Sequence, residues 1–303
     1  MKKDIKNLPA SIHDRLKSIA IQNNRPFQEY LFYYAIERFL FRLSRSNYRN
    51  EFVLKGGLMF MAWGIPLRRS TRDIDVQGYG INSIENYVSI VKRICLEEVK
   101  PDGMHYFPES VRGEIIQNLA EINGVRIYFK GNLGNASVQL HLDISFANVI
   151  TPNVLDLPYP CLLEKSDIQI KGYPIETTIS EKFQAMVSLD RINDRMKDFF
   201  DIWLIIHQMR IEGSILFEAI QKTFNHRKTP LPTKIPFALT TEFADNKQRD
   251  WERFLSRSLL DINDFKNFDE VIQTLQDFLY PIVEASHNGD KFNRIWQAGV
   301  GWE

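Results

Sequence analysis

Asp73 and Asp75 flank a single isoleucine in RRSTRDIDVQG, residues 68–78, behind three arginines and two hydroxyl residues. On a β-strand, residues two apart point to the same face, so both carboxylates would project together while Ile74 faces the core. Two carboxylates placed in this way can hold a magnesium ion. An isolated D-x-D is a weak signal, because solvated strand faces and turns carry the same pattern.

The segment FVLKGGLMFMAWGI, residues 52–65, comes shortly before this motif. It predicts an apolar strand that ends at Lys55, then Gly56 and Gly57, then a helix. Paired glycines at such a junction leave backbone N–H groups accessible, and a helix N-terminus adds partial positive charge, so a phosphate can bind there. A simple packing turn is the alternative. Together with the D-x-D that follows, the pattern is typical of the nucleotidyltransferase fold.

Asp143 is the candidate for a third carboxylate, which that fold usually takes from a neighbouring strand. It is the only acid in SVQLHLDISF, residues 137–146, where apolar and polar residues alternate. Aspartate is disfavoured in strands, which favours a functional role over a solvent-facing strand position. His141 shares the polar face with Asp143 and could lie near the site.

Hydrophobic periodicity predicts an α/β or α+β fold with a mixed sheet. Helical spacing runs from Leu8 to Leu43, with NNRP separating two helices. Short apolar or alternating runs follow up to about Tyr173, interrupted by a helix near 84–98, and the pattern after Pro174 is helical to the end. We therefore expect an N-terminal helical arm (1–50), a core (51–175) and a helical domain (176–303). A nucleotide would bind in a cleft between the core and the helical domain.

Composition narrows the class of protein. The 303 residues contain 38 basic and 38 acidic side chains, so contact with nucleic acid must rely on a local patch. Two cysteines, Cys95 and Cys161, form neither a disulfide framework nor a zinc site. The sequence has no apolar run of the roughly 20 residues that a membrane helix needs, nor a signal-peptide pattern. A cytoplasmic protein without a membrane partner is expected.

Four separated segments resemble the AbiEii/AbiGii toxin family of nucleotidyltransferase-like proteins, in the order that the family has. They are FVLKGGLMFMAW, RRSTRDIDV, LHLDISFANVITP and ETTISEKFQAMVSLDRINDRMKDFFDIWLI. The resemblance covers most of the chain. It implies the toxin half of a bacterial toxin–antitoxin or phage-exclusion system, and therefore a cognate antitoxin or its gene product as a partner.

The resemblance also implies roles for individual residues. The residues that match the family's motifs are Gly56, Gly57, Asp73 and Asp75 in the first, Asp143 in the middle one, and Lys182 and Asp198 in the last. The family's hydroxyl two residues before the first aspartate is here Thr71. Asp198 would orient the lysine, the acceptor or the base.

The segment ETTISEKFQAMVSLDRINDRMKDFFDIWLI can also be interpreted from the spacing of its residues alone. Thr178 and Glu181 have the S/T-x-x-E spacing of a capping box at a helix start. Lys182 is then either a surface lysine or a point charge on the nucleotide's phosphates. Asp194, Asp198 and Asp201 share one helix face, which by itself could be solvated. If Lys182 and Asp198 both lie near the starts of antiparallel helices, they would be at least ~12 Å apart.

The predicted reaction is transfer of a nucleotidyl group from a nucleoside triphosphate to a hydroxyl, with Mg²⁺ or Mn²⁺ held by Asp73, Asp75 and Asp143. The predicted nucleotide-binding residues are Lys55, Gly56, Gly57, Arg69, Thr71 and Lys182. The resemblance points to the 3′ end of tRNA as the acceptor, with Arg68, Arg69 and Arg72 as candidate phosphate contacts. The alternatives are nucleotidylation of a protein, a non-catalytic protein that binds nucleotide or antitoxin, and a D-x-D glycosyltransferase.

Overall fold

The computed structural model describes residues 7–66, 69–116, 124–163, 167–258, 260 and 267–303. The chain forms two compact units. The first comprises Met1–Gly64, Thr71–Ala147 and Leu155–Gly172, and the second comprises Ile65–Ser70, Asn148–Val154 and Tyr173–Glu303. The N-terminal helices thus belong to the same unit as the strands that follow them. The three predicted domain boundaries remain a prediction.

The first unit is built on a seven-stranded mixed sheet, which confirms the predicted α/β class. Its helices are α1 (Leu8–Gln22), α2 (Phe27–Arg45), α3 (Met59–Ala62) and α4 (Ile84–Cys95). Its strands are β1 (Phe52–Lys55), β2 (Ile74–Gly78), β3 (Met104–Ile116), β4 (Gly124–Leu133), β5 (Ala136–Ser145), β6 (Leu155–Pro158) and β7 (Gln169–Gly172). The two N-terminal helices and the helix near 84–98 are therefore confirmed.

The strand order β3-β4-β5-β2-β1-β7-β6 places the two acidic motifs side by side. Strand β2 pairs in parallel with β5 and antiparallel with β1, while β4 pairs antiparallel with both β3 and β5. Since side chains alternate between faces along each strand, this register decides which polar residues meet on one side of the sheet.

The apolar face of this sheet packs against helices of the same unit. On β5, the four apolar residues of the alternating run are all buried, as the sequence predicts. Phe39 on α2 is fully buried, with its ring centroid 4.6 Å from that of Phe129 on β4. Helix α4 packs against β3. The face of β3, β4 and β5 that bears the polar residues is the opposite one.

The second unit consists mainly of helices, as predicted for the C-terminal half. They are α5 (Ile175–Leu189), α6 (Met196–Gln208), α7 (Gly213–His226), α8 (Thr241–Arg257) and α9 (Phe268–Asn288). The segment NHRKTPLPTKIP, residues 225–236, whose prolines and polar residues indicate a break in the helical pattern, connects α7 and α8, whereas a second break indicated at Asn263 and Asp264 lies outside the described residues.

The chain end is not helical, contrary to the expectation. Strands β8 (Ile211–Glu212), β9 (Ile295–Gln297) and β10 (Gly301–Trp302) form a small antiparallel sheet. The indole of Trp302 stacks on Phe278 of α9 with ring centroids 5.2 Å apart, and Trp296 meets the same ring edge-on. Both tryptophans therefore pack on the helical region. Segments of two and three residues are too short to show strand periodicity in the sequence.

The helix predicted after Gly56 and Gly57 is present but short, and the predicted start of the helix at Thr178 is wrong. After Gly56 and Gly57 the chain makes a 3₁₀ turn and only a four-residue helix, so few peptide dipoles are aligned there. Helix α5 begins directly after Pro174, four residues before the position that the capping box requires. Thr178 is consequently buried within the helix, and Glu181 contacts Tyr173 and Arg227 instead of capping. Proline sets this start because it lacks an N–H and has a fixed φ.

Of the helices in the described part of the chain, none has both the length and the apolar character that crossing a membrane would require.

Replacing Phe39 with alanine should lower the free energy of unfolding of the first unit by about 3–5 kcal/mol, because it opens a cavity between α2 and the sheet. Phe41, a partly exposed phenylalanine on the same helix, provides the matched control, and Phe41→Ala should cost clearly less. Urea denaturation followed by circular dichroism measures both. Equal losses would mean that α2 does not form part of this core.

Candidate active site

The turn after β1 brings the backbone against an aspartate of the D-x-D motif. Gly56 has φ +69°, and a Cβ placed on it would lie 2.2 Å from Oδ2 of Asp75. A side chain is therefore excluded here by contact with Asp75 as well as by backbone conformation. Lys55, the last residue of β1, is the cross-strand partner of Asp75. The turn and the motif form one structural feature.

Asp75 on β2 lies directly opposite Asp143 on β5, in the parallel pairing of these strands. Neighbouring strands are ~4.8 Å apart, so the two side chains leave the sheet as close neighbours on one face. Asp73 precedes β2 by one residue, and the intervening Ile74 is fully buried. The three predicted metal-binding carboxylates thus belong to the same region of one unit.

His141 is bonded to the first aspartate. Its Nε2 donates to Oδ1 of Asp73 at 2.9 Å. This hydrogen bond raises the pKa of His141, and the opposing effect of partial burial is smaller. The sequence placed His141 only near the site, while the structure puts it in contact with the D-x-D motif.

Arg126 is bonded to the third carboxylate. On β4 it is the cross-strand partner of Asp143, and its Nε and Nη2 donate to the two carboxylate oxygens at 2.6 Å each. Two parallel hydrogen bonds between a guanidinium and a carboxylate are among the strongest polar pairs in proteins. They raise the pKa of Arg126, which therefore stays charged over the physiological range.

The donor set of this region suits a hard divalent cation. In the described part of the chain, no three His, Cys, Asp or Glu side chains are grouped closely enough to hold a metal ion by themselves. Magnesium, however, is usually held by one or two carboxylates together with substrate phosphates. Asp73 and Asp75 fit that requirement, whereas Asp143 already shares both oxygens with Arg126.

A second cluster of charged residues lies in the helical unit, around Lys182 at the middle of α5. Its Nζ donates to Oδ1 of Asp198 at 2.6 Å and to Oδ2 of Asp201 at 2.9 Å. Arg69 forms two further bonds of 2.7 Å with Asp201, and Arg195 pairs with Asp198. We call these five residues the lysine network.

The lysine network contains three cations and two anions, and therefore one net positive charge. Asp198 and Asp201 are each 1% exposed. Burial by itself would raise the pKa of each carboxyl group, but the adjacent cations outweigh it and lower both values. Burial by itself would lower the pKa of Lys182, but the two carboxylates outweigh that effect and raise it. All members are thus charged near neutral pH.

The structure removes the geometric difficulty that the sequence raised for Lys182 and Asp198. Because α5 starts at Ile175, Lys182 lies at mid-helix and not near a helix start, so it reaches the first turn of α6. The alternative of a solvated acidic face does not hold for Asp198 and Asp201, because both are buried. Asp194 is exposed and precedes the helix.

The other residues that the sequence predicts to contact nucleotide or phosphate differ in their exposure and in their hydrogen-bond partners. Arg69 is bonded to Asp201, as described, whereas Arg72 is exposed and Arg68 lies outside the described residues. Thr71 is buried, and its backbone N–H donates to the hydroxyl of Tyr33. Gly57 is buried in the 3₁₀ turn.

Sequence reasoning missed Arg126, Arg195 and Asp201 as members of these clusters. Asp201 had a detectable signal, since its spacing from Asp198 puts both on one helix face. Arg126 had none, because its pairing with Asp143 depends on the register between β4 and β5.

Comparison with solved structures returned two Helicobacter pylori proteins at 15% sequence identity and a TM-score of 0.43. The match to JHP933 covers 86% of this chain and 93% of that one. The match to a protein described as a candidate nucleotidyltransferase covers 85% of this chain and 95% of the other. Comparison with curated proteins returned no match.

The strand-borne D-x-D beside a glycine turn is the arrangement expected of a nucleotidyltransferase. Comparison with family profiles gives a match over residues 38–274 to a family described as nucleotidyl transferase AbiEii toxin, type IV toxin–antitoxin system. The chain belongs to this AbiEii family of nucleotidyltransferase toxins, as the sequence motifs predicted.

Replacing Gly56 with alanine should reduce nucleotidyl transfer by at least about 10-fold, because the added Cβ displaces the carboxylate of Asp75. Gly64→Ala provides a matched control, since Gly64 has a similar φ of +76° but no atom within 4 Å of an added Cβ. Both variants should lose a similar amount of stability, roughly 1 kcal/mol or more, from the strained backbone. Transfer of label from a nucleoside triphosphate and thermal unfolding measure the two effects. Equal activity in both variants would contradict the idea that the space between residue 56 and the carboxylate of Asp75 matters for transfer.

Replacing Asp201 with asparagine should lower the free energy of unfolding of the second unit by about 3–5 kcal/mol, because it leaves buried cations without their partner. Asp194→Asn, on the exposed acid, should change it by less than about 0.5 kcal/mol. Tryptophan fluorescence suits the measurement, since four of the five tryptophans belong to this unit.

The same variant should alter the pH dependence of stability. A carboxyl group whose pKa is lowered by folding stabilises the protein above its unfolded value of about 3.9, and this contribution is lost as pH falls towards the folded value. Wild-type stability should therefore fall steeply below about pH 4, and Asp201→Asn should flatten that slope. An unchanged slope would show that Asp201 does not pair as described.

Proposed function

We propose that the protein transfers a nucleotidyl group from a nucleoside triphosphate to the 3′ hydroxyl of an RNA, with tRNA as the acceptor. The catalytic part of this proposal is supported by one observation: Asp73, Asp75 and Asp143 lie on the same face of the sheet, next to the turn at Gly56. The choice of RNA rests on the family resemblance and on no contact in the structure. A cognate antitoxin as partner follows from the type IV toxin–antitoxin family.

The reaction needs no protein nucleophile. The acceptor oxygen forms a bond to the α-phosphorus, the bond between this phosphorus and the bridging oxygen to the β-phosphate breaks, and pyrophosphate leaves. The acceptor's proton goes to a base, for which Asp143 is the candidate. Positioning and charge stabilisation are then the main contributions of the protein.

Magnesium, or manganese in its place, would be bound by Asp73 and Asp75 and would neutralise phosphate charge when bound. His141 and Arg126 would keep the carboxylates of Asp73 and Asp143 oriented. Arg126 donates one hydrogen bond to each oxygen of Asp143, and each oxygen keeps a second lone pair that a cation or the acceptor's proton could use. Both roles are therefore compatible with this pairing.

The lysine network is the candidate phosphate-binding group of the second unit. Its net positive charge is suited to an anion, and the two bonds of Lys182 use two of the three N–H groups of its ammonium. In this role Asp198 and Asp201 keep Lys182 charged and fixed in place. Arg69 has a structural partner in Asp201, so it supports the lysine in addition to any contact with a nucleotide.

Three other functions are separable by experiment. Protein nucleotidylation would put the label on a polypeptide. A glycosyltransferase would use a nucleotide sugar, and the glycine turn beside Asp75 does not favour it. A non-catalytic nucleotide- or antitoxin-binding protein would show no transfer at all. The cytoplasm is the proposed location, in accord with the free thiols of Cys95 and Cys161.

Asp73→Asn and Asp75→Asn should each reduce transfer of label from a nucleoside triphosphate to total RNA by about 100-fold or more. Both substitutions remove charge but almost no volume, so the fold should be unchanged. Asp156→Asn, on an exposed acid of the same unit, is the matched control and should retain full activity. Each triphosphate is tested separately with magnesium, and growth inhibition is measured in parallel.

RNA whose 3′ ends have been oxidised by periodate should accept no label. Label on a protein that is insensitive to this treatment would replace the RNA acceptor with a protein acceptor. Folded Asp73→Asn protein with undiminished transfer would refute the catalytic assignment.

A further inference from the structure

Asp75 and Asp143 belong to a row of directly opposite residues that extends across the strands to the edge of the sheet. Asp143 on β5 is flanked by Asp75 on β2 and Arg126 on β4, and Arg126 in turn lies opposite Glu114 on β3. These four side chains form one row across four strands. Their charges alternate only in part, because the two aspartates are neighbours.

A second row runs beside the first. His141 on β5, which holds Asp73, lies opposite Tyr128 on β4, and Tyr128 lies opposite Arg112 on edge strand β3. The ring centroids of Tyr128 and His141 are 6.0 Å apart, and the guanidinium of Arg112 is 4.3 Å from the tyrosine centroid. The row therefore joins the D-x-D motif to an aromatic ring and a cation.

Tyr128 is the centre of this surface. Its hydroxyl donates to Oε1 of Glu114, which fixes the ring, and its side chain remains partly exposed. Lys130 is two residues further along β4 on the same face and is exposed, as is its cross-strand partner Gln139. Arg112, Tyr128, Lys130 and Gln139 are what we call the β-face platform.

An aromatic ring flanked by cations on an open sheet face is chemistry suited to single-stranded nucleic acid. A base can stack on the ring when the guanidinium of Arg112, which lies over it at 4.3 Å from the centroid, moves to a phosphate, and Lys130 can neutralise another phosphate. Because the molecule has no net charge, binding of this kind must come from a local group of cations such as Arg112 and Lys130.

The spacing fits an acceptor that ends at the carboxylates. Tyr128 is two strands away from β2, or roughly 10 Å at about 4.8 Å per strand. That distance corresponds to one or two nucleotides of a single strand. A terminal nucleotide next to Asp73 and Asp75 would thus place the preceding bases over the platform.

From this geometry we propose that the β-face platform binds the single-stranded 3′ end of the RNA acceptor, with Tyr128 as the stacking residue. The proposal rests on the proposed function for the identity of the acceptor, but the binding surface can be tested without transfer. It assigns acceptor recognition to residues that the sequence patterns did not indicate. Arg69 and Arg72 are not required for it.

The experiment uses the full chain and two readouts. The first is the affinity for a short, fluorescently labelled single-stranded RNA with a free 3′ hydroxyl, measured by anisotropy without a triphosphate. The second is the KM for RNA in transfer of label from the triphosphate, together with the affinity for the triphosphate alone. Tyr128→Leu removes the aromatic ring, and Tyr128→Phe keeps it. Lys130→Ala removes a cation of the platform, and Lys92→Ala is its control. Lys92 is an exposed lysine on α4, the helix on the apolar side of the sheet.

Tyr128→Leu should weaken RNA binding and raise the KM for RNA by about 10-fold, whereas Tyr128→Phe should behave like the wild type. Lys130→Ala should reduce the slope of log affinity against log salt by about 0.7, and Lys92→Ala should leave it unchanged. Affinity for the triphosphate should be unaltered in all four variants. Tyr128→Leu must also unfold at the wild-type temperature within a few degrees, since the ring lies on the open face.

Several results would overturn the proposal. If the wild type labels RNA but Tyr128→Leu and Lys130→Ala leave its KM unchanged, the platform is wrong and the proposed function remains. If the wild type does not bind the single-stranded RNA, the platform is wrong whatever the acceptor. If RNA binds through Tyr128 but receives no label, the platform is supported and the proposed acceptor fails. Labelling of a protein that depends on Tyr128 would assign the surface to a polypeptide instead.

Discussion

The parallel pairing of β2 with β5 is the constraint on which the candidate site depends. It places Asp75 opposite Asp143, and it brings carboxylates together although charge repulsion opposes their approach. The surrounding groups offset this repulsion. Arg126 and His141 each pair with one of the carboxylates, and the turn at Gly56 leaves room for Asp75 because it has no side chain.

The lysine network is organised by a different physical requirement. Asp198 and Asp201 lie in the interior of a helical unit, where a carboxylate without a partner would be strongly destabilising. Three cations satisfy them and leave an excess of positive charge. Lys182 pairs with two buried acids, so its proposed contact with phosphate cannot be separated from its effect on stability by activity alone. A substitution there affects both the burial of two acids and any contact with phosphate.

The two units contain different groups of charged residues. The sheet bears carboxylates that we propose for a cation and a proton, and the helical unit contains the lysine network that we propose for phosphate. The polar face of β3, β4 and β5 extends the first of these sites into a surface with an aromatic ring and exposed cations.

The sequence by itself determined the class of the fold, the strands that carry Asp75 and Asp143, and the membership in the AbiEii family. These follow from local patterns, namely alternation, glycine pairs and motif spacing, which act over a few residues. Only the tertiary structure decided which cation faces each acid. Arg126 meets Asp143 through strand register, and Arg69 meets Asp201 across more than a hundred residues of chain. The start of α5 also followed from its context, because Pro174 overrode the capping pattern at Thr178. Pairing over such separations depends on how whole elements pack, and no pattern within a short window of sequence contains that information.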